Sequence, residues 1–129
     1  MKLLVTGATG LIGKNLITHA KQRKISIHFL TTRKGECINS NGIKGFFWNP
    51  GQDEIDDSCF EGVDTLIHLA GANISKPWTP KNKKEILESR LNGTRLLRKT
   101  LDRKKIKMKS ICCAGAIGIY PNSKDDIHE

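Results

Sequence analysis

Lys2-Leu-Leu-Val5 runs directly into Thr6-Gly-Ala-Thr-Gly-Leu-Ile-Gly13. The apolar run predicts a strand, and Gly7 and Gly10 predict a tight turn whose backbone can approach a pyrophosphate with no side chain in the way. Beyond the turn, Leu11, Ile12, Leu16, Ile17 and Ala20 recur with helical spacing. Strand, turn and helix start in that order aim free amides and the positive end of the helix dipole at phosphate oxygens. The stretch reads as a dinucleotide cradle. A glycine-rich turn without a ligand is the alternative, and the legible strand and helix on either side weigh against it. A P-loop does not fit, because the residue five before Gly13 is Ala8 and Lys14 is followed by Asn15, where magnesium would need a Ser or Thr.

The rest of the chain continues the same alternation. Ile25 to Thr31 predicts a second strand, Gly45-Phe-Phe-Trp48 a short, edge-like third, and Val63 to Ala70 a mostly apolar fourth. Lys34 to Gly42 reads as a loop, and Asp57-Ser-Cys-Phe60 as one helical turn. Thr79-Pro80 opens the longest helix, with Thr as N-cap and Pro in the first position. Its predicted buried stripe is Ile86, Leu87, Leu91, Thr94, Leu97 and Leu101. Ile106 to Ala114 is the fifth strand, and Gly115 to Glu129 carries no periodic element. The expectation is one α/β domain over residues 1–129: a Rossmann-like parallel sheet of strand order 3-2-1-4-5, truncated after strand five. Ligand then belongs at the carboxyl ends of strands one and four, where the strand order reverses.

Composition bounds the partners. With 37% hydrophobic and 27% charged residues the chain is ordinary for a globular domain, and no apolar run is long enough for a bilayer. The net charge of +9 raises nucleic acid as a partner, but most of the excess lies between Lys76 and Lys109, on one helix and its flanks, with Glu85, Glu88 and Asp102 interspersed. A solvated helix face explains it, so neither nucleic acid nor membrane is expected. Cys37, Cys59, Cys112 and Cys113 form no C-x-x-C pair and fit free thiols in a reducing cytoplasm. His19, His28, His68 and His128 have no ligand spacing, so no metal site is expected, and His68 inside a strand reads as a packed imidazole. Discrimination between NAD and NADP falls at the end of strand two, which reads Thr31-Thr32-Arg33-Lys34 with no carboxylate. Arg33 can instead bind a 2′-phosphate, with the Thr32 hydroxyl beside it, and the cofactor expected is NADP. An exposed basic turn is the alternative.

The G-x-x-G-x-x-G turn, Thr32-Arg33, Asp64-Thr-Leu-Ile-His-Leu-Ala-Gly71, Trp78, Ser89-Arg90-Leu-Asn-Gly-Thr94 and Ala114-Gly-Ala-Ile-Gly-Ile-Tyr120 together resemble the atypical extended short-chain dehydrogenase/reductases of the NAD-dependent epimerase/dehydratase family. Many members are labelled nucleoside-diphosphate-sugar epimerase and some cell division inhibitor. The resemblance runs the whole chain but covers only the first half of the family pattern. It implies cofactor contacts at Gly7, Thr9, Gly10, Leu11 and Ile12, at Thr32 and Arg33, at Leu69, Ala70 and Gly71, and at Glu85 and Arg90 on the long helix. For Glu85 and Arg90 ordinary surface charge is the alternative.

Members of this superfamily use a Tyr, a Lys one helical turn onward and a hydroxyl after strand five. Tyr120 and Lys124 form a formal Y-x-x-x-K, but Pro121-Asn122 between them favours a loop over the helix that would stack the pair. The usual hydroxyl positions are Gly115 and Ala116, so no catalytic residue is assigned. The sequence therefore implies an NADP(H)-binding epimerase-family domain without a complete active site. Half of a split epimerase or reductase completed by a partner, a non-catalytic NADPH-sensing module, and a degraded gene product are the alternatives. An uncovered fifth strand would invite self-association through its edge.

Overall fold

The computed structural model describes residues 1–35 and 39–115. Strand β1 (Lys2–Thr6) leads through the glycine turn into α1 (Leu11–Gln22), followed by β2 (Ser26–Thr31), β3 (Asn39–Ser40) and β4 (Ile43–Asn49). A 3-10 turn at Pro50–Gln52, the short β5 (Glu54–Ile55) and a second 3-10 turn at Asp57–Phe60 lead to β6 (Thr65–His68), α2 (Pro80–Arg103) and β7 (Ser110–Cys113).

Six strands run in the order β3-β4-β2-β1-β6-β7, with β5 paired to β4. The parallel strands are β4, β2, β1, β6 and β7, whereas β3 and β5 are two-residue antiparallel additions against β4. The sheet is thus mixed and not the five-stranded parallel sheet expected from sequence. β3 falls in a stretch read as loop, because two residues carry no period to read. The third parallel strand is also longer than expected, and its Phe46 and Trp48 are core residues. Gly45, which has no side chain to pack, lies mid-strand opposite Phe29 and does not break it.

Alternation along the strands sorts the apolar residues onto two faces. Leu3, Val5, Ile27, Phe29 and Ile43 pack with Ala20 of α1, while Leu4, Leu30, Phe46, Trp48 and Leu66 pack with Leu96 and Leu97 of α2. On α2 the buried residues are Gly93, Leu96, Leu97 and Thr100, with Leu101 half-buried. Leu87, Leu91 and Thr94 of the expected stripe are exposed. Thr79 caps α2 as expected, its hydroxyl accepting from the Asn82 amide at 3.2 Å. Both helices end on a lysine in the left-handed region, Lys24 (φ 56°) and Lys105 (φ 53°). The isoleucine that follows each one bonds back into the last turn, Ile25 to the Ala20 carbonyl and Ile106 to that of Leu101.

All four residues of β7 are exposed, and β6 is its one pairing neighbour among the described residues. Cys112 and Cys113 lie in register with Ile67 and His68, so they point to opposite faces. Cys37, Ala116, Tyr120, Lys124 and His128 lie outside the described residues. No described helix is long and apolar enough to cross a membrane.

Candidate functional site

A cleft of about 860 Å³ opens at the carboxyl ends of β1, β2, β4 and β6, where β1 has β2 on one side and β6 on the other. Its floor is the glycine turn. Gly7 takes φ +72° and lies so close to the end of β6 that a Cβ there would stand 2.9 Å from the Ala70 nitrogen. Gly13 closes the turn against the helix, since a Cβ on it would meet the Gly7 carbonyl oxygen at 2.2 Å. At Gly10 the nearest atom would be 3.3 Å away, and that position stays open toward the cleft. Gly10 is also the N-cap of α1, with no side chain capping the helix and no acidic residue in its first turn. The first amides of α1 and its dipole are therefore available to an anion.

Thr6 joins the two loops that form the floor. Its hydroxyl oxygen accepts from the amides of Leu69 (3.1 Å) and Ala70 (3.0 Å) and lies 2.6 Å from Nδ1 of His68. The other imidazole nitrogen, Nε2, lies 3.3 Å from the Thr94 hydroxyl on α2. Burial holds the His68 pKa below that of a free imidazole.

The remaining wall comes from α2 and the ends of β2 and β4. Thr32 and Arg33 line the cleft on the β2 side, next to Trp48, Pro50 and Gly51 at the end of β4. Lys81, Lys84, Glu85, Glu88, Ser89 and Asn92 line it from α2. Ser89 ties the helix to the loop after β6 by accepting from the Ala72 amide (2.9 Å) while donating to the Ile86 carbonyl (2.9 Å).

Of the residues expected from sequence, Gly7, Thr9, Gly10, Thr32, Arg33, Leu69, Ala70, Gly71 and Glu85 line this one cleft. Leu11 and Ile12 do not line it; their side chains stand exposed at the start of α1. Glu85 pairs with Lys76 at 3.5 Å. Arg90 does not line the cleft either. Its guanidinium packs on Gly71, where a Cβ would lie 3.0 Å from Cζ, and its Nη1 donates to the Ile86 carbonyl at 3.2 Å. It braces the loop after β6. Sequence reading did not assign Trp48, Pro50 and Gly51, although Asn49-Pro50-Gly51 marks the carboxyl end of a parallel strand, which is where ligands of such sheets sit. Among the described residues nothing lies within 4 Å of a Cβ placed on Gly115, and Tyr120 and Lys124 of the formal catalytic motif lie outside the described region. No group of three His, Cys, Asp or Glu among the described residues is arranged to hold a metal ion.

The sequence profile of the NAD dependent epimerase/dehydratase family matches residues 3–129. The chain belongs to that family. Among curated relatives, the epimerase family protein SH2119 of Staphylococcus haemolyticus is 31% identical over 124 residues, which is 95% of this chain and 40% of the relative. The epimerase family protein SAOUHSC_00792 of Staphylococcus aureus is 30% identical over 118 residues, or 92% and 38%. This family member thus spans about 40% of the length of the relatives it matches. Its fold is that of the human epimerase family protein SDR39U1, solved with NADPH (TM-score 0.69, 24% identity, 98% of this chain and 40% of that one). It is also that of MoeE5, solved with UDP-glucose and NAD (TM-score 0.74, 18% identity, 100% and 42%). Both comparisons place the sheet and helices of this epimerase-family chain in the Rossmann-like class.

Proposed function

We propose that this epimerase-family domain binds NADP(H) in the cleft, with the pyrophosphate on the glycine turn and the start of α1. The adenosine 2′-phosphate would rest on Thr32 and Arg33. The observation that carries the reading is the pairing, in one cleft, of an uncapped helix start behind Gly7 and Gly10 with a β2 end that bears Thr32-Arg33 and no carboxylate. The human relative solved with NADPH supports a phosphorylated cofactor. MoeE5 was solved with NAD, so the choice rests on this chain's own β2 end.

Titration of NADPH and NADH by nicotinamide fluorescence tests this. NADPH is expected to bind the more tightly, and Arg33→Ala to weaken NADPH about 10- to 100-fold, as fits a charge-assisted bond of about 1.5–3 kcal/mol, while leaving NADH nearly unchanged. Equal affinity for the two cofactors overturns the role given to Arg33, and binding of neither overturns the site.

Holding the cofactor and using it are separate matters here. Gly115 and Ala116 come after β7 in the sequence and carry no hydroxyl with which to orient a substrate or move a proton. The reading is therefore a binding domain without a complete active site of its own. Hydride chemistry on a small or nucleotide-linked substrate would require residues from elsewhere. The free thiols of Cys59, Cys112 and Cys113 support a reducing, cytoplasmic setting.

A second reading is favoured by β7, whose four residues are all exposed, Ile111 by 55%. Two copies would pair these edges into one continuous sheet. Light scattering at high concentration is expected to give a dimer that Ile111→Lys dissociates, and a wild-type monomer overturns the pairing.

A further inference from the structure

The Thr6 hydroxyl has one hydrogen and two lone pairs. The amides of Leu69 and Ala70 occupy the oxygen at 3.1 and 3.0 Å, the Leu69 amide also reaching the Thr6 carbonyl at 3.2 Å. The one hydrogen left points at Nδ1 of His68, 2.6 Å away, so that nitrogen must be bare and accepting. A neutral imidazole then carries its proton on Nε2 and donates it toward the Thr94 hydroxyl, 3.3 Å off on α2.

The ring is closely held on its other sides. A Cβ on Gly93 would meet its Cε1 at 3.3 Å, and the Trp48 indole meets it edge-on with 6.3 Å between centroids. One imidazole thus joins the end of β1, the loop after β6, α2 and the end of β4, four of the segments that build the cleft.

We propose that His68 is the positioning residue of the cofactor site, a neutral latch whose protonation on Nδ1 releases the Leu69–Ala70 wall and α2 and so lowers cofactor affinity in acid. A proton on Nδ1 would face an oxygen that already accepts two N–H bonds, and one backbone bond to Thr6 would have to break. Among the described residues nothing compensates the charge. β1 presents Thr6, β4 Trp48, α2 Gly93 and Thr94, and β7 the thiol of Cys113 in register, and no charged side chain on these elements moves the imidazole pKa. Thr6 is wholly buried and His68 nearly so, and burial is what pushes this pKa down.

The latch deepens the NADP(H) reading and rests on it for its effect on affinity, though not for the tautomer. Two measurements separate them. Nitrogen NMR of the apo protein near neutral pH is expected to show His68 neutral, with the proton on Nε2; a proton on Nδ1 or a charged ring overturns the latch whether or not any cofactor binds. NADP⁺, which survives acid better than NADPH, is then titrated by calorimetry from about pH 8 to about pH 5.5, across the range where an imidazole changes charge. His68→Asn sets a non-titrating acceptor opposite Thr6 and serves as the reference, because the 2′-phosphate itself titrates in the same range.

The wild type is expected to lose more affinity than His68→Asn over that interval, by up to about tenfold and no more, because an imidazole held below 6.5 in the free protein is only partly charged at the acid end. His68→Leu, which leaves Thr6 without its partner, is expected to bind weakly at every pH. Parallel pH profiles for wild type and His68→Asn overturn the proposal. Should NADP⁺ fail to bind at about pH 8, the cofactor reading falls, and the latch is still decided by the tautomer and by amide exchange at Ala70. The Ala70 amide is expected to be protected in the wild type and open in Thr6→Val, whereas Leu69 keeps its bond to the Thr6 carbonyl, and equal protection of Ala70 in the two proteins overturns the latch.

Discussion

At Gly13 a methyl group has nowhere to go. Its Cβ would lie 2.2 Å from the Gly7 carbonyl oxygen and 2.7 Å from Cα of Ala8, and both are backbone atoms that cannot turn aside. Gly7 adds a positive φ of 72° to a similar crowding against Leu69 and Ala70. Gly10 has a negative φ, and its one close atom, the Gly7 carbonyl oxygen at 3.3 Å, is far less crowded. Three glycines that look alike in the sequence therefore do three things: Gly7 makes the turn, Gly13 seats the helix on it, and Gly10 leaves the approach to the helix start open. Gly13→Ala is expected to destabilise the fold by about 1–3 kcal/mol, as overpacking does, and to abolish cofactor binding. Gly10→Ala should keep most of the stability and lose affinity alone. Urea unfolding beside cofactor titration checks both, and a Gly13→Ala protein as stable as wild type would refute the packing role. The motif itself is plain in the sequence because turn chemistry is local, and the crowding at Gly13 comes from the turn itself; the crowding at Gly7 depends on Leu69 and Ala70, which are distant in the sequence.

Among the elements, α2 shows where periodicity helps and where it fails. Its start is legible, because Thr79-Pro80 is a local signal and the hydroxyl does cap the helix. Its buried face is displaced from the one expected. Leucine positions 87 and 91 are exposed, and the helix instead approaches the sheet through Gly93, where the absence of a side chain lets it close on His68 and Trp48. A hydropathy pattern gives weight to large apolar residues and none to the glycine that sets the closest approach. The helix ends carry no glycine signal: Lys24 and Lys105 occupy the left-handed position that glycine usually marks. The two faces of α2 should therefore respond differently to substitution. Leu97→Ala, in the core with Leu4 and Leu66, is expected to cost about 2–5 kcal/mol. Leu87→Lys, 58% exposed, should change stability by no more than about 0.5 kcal/mol. Both readings bury Leu97, so chemical denaturation of Leu87→Lys is what decides whether the structure or the hydropathy stripe gives the correct face.

Across the whole molecule, the two faces of the sheet are closed by α1 and α2, and two imidazoles are sealed under the α2 side. His28 Nδ1 lies 2.7 Å from the Cys59 carbonyl oxygen and must donate to it, the opposite tautomer to that of His68. Its ring stacks obliquely on Phe46 at 4.6 Å, and its pKa is lowered by burial first, with Lys2 and Lys44 adding repulsion against the pull of the Cys59 carbonyl. Both histidines are thus held neutral in the folded state while the unfolded chain protonates at the ordinary 6.5. The sign follows from linkage: below that pH the unfolded state binds more protons than the folded one, so stability falls as pH falls. Above it neither state is charged and the histidines contribute no slope. Carboxylates act on a lower limb, since Asp57 is held below 3.8 chiefly by its bidentate hydrogen bonds from Arg103, and the stability it brings is lost only as pH drops through that lowered value. The urea midpoint is therefore expected to be level from about pH 8 to about pH 6.5, to decline below that, and to steepen again in the carboxylate range. The double variant His28→Asn, His68→Asn should remove the first decline and keep the second, whatever its absolute stability. A wild-type profile flat down to about pH 4.5 would mean that both rings take up protons in the folded protein as readily as in the unfolded one, against the Thr6 hydrogen bond at His68 and the burial of both rings.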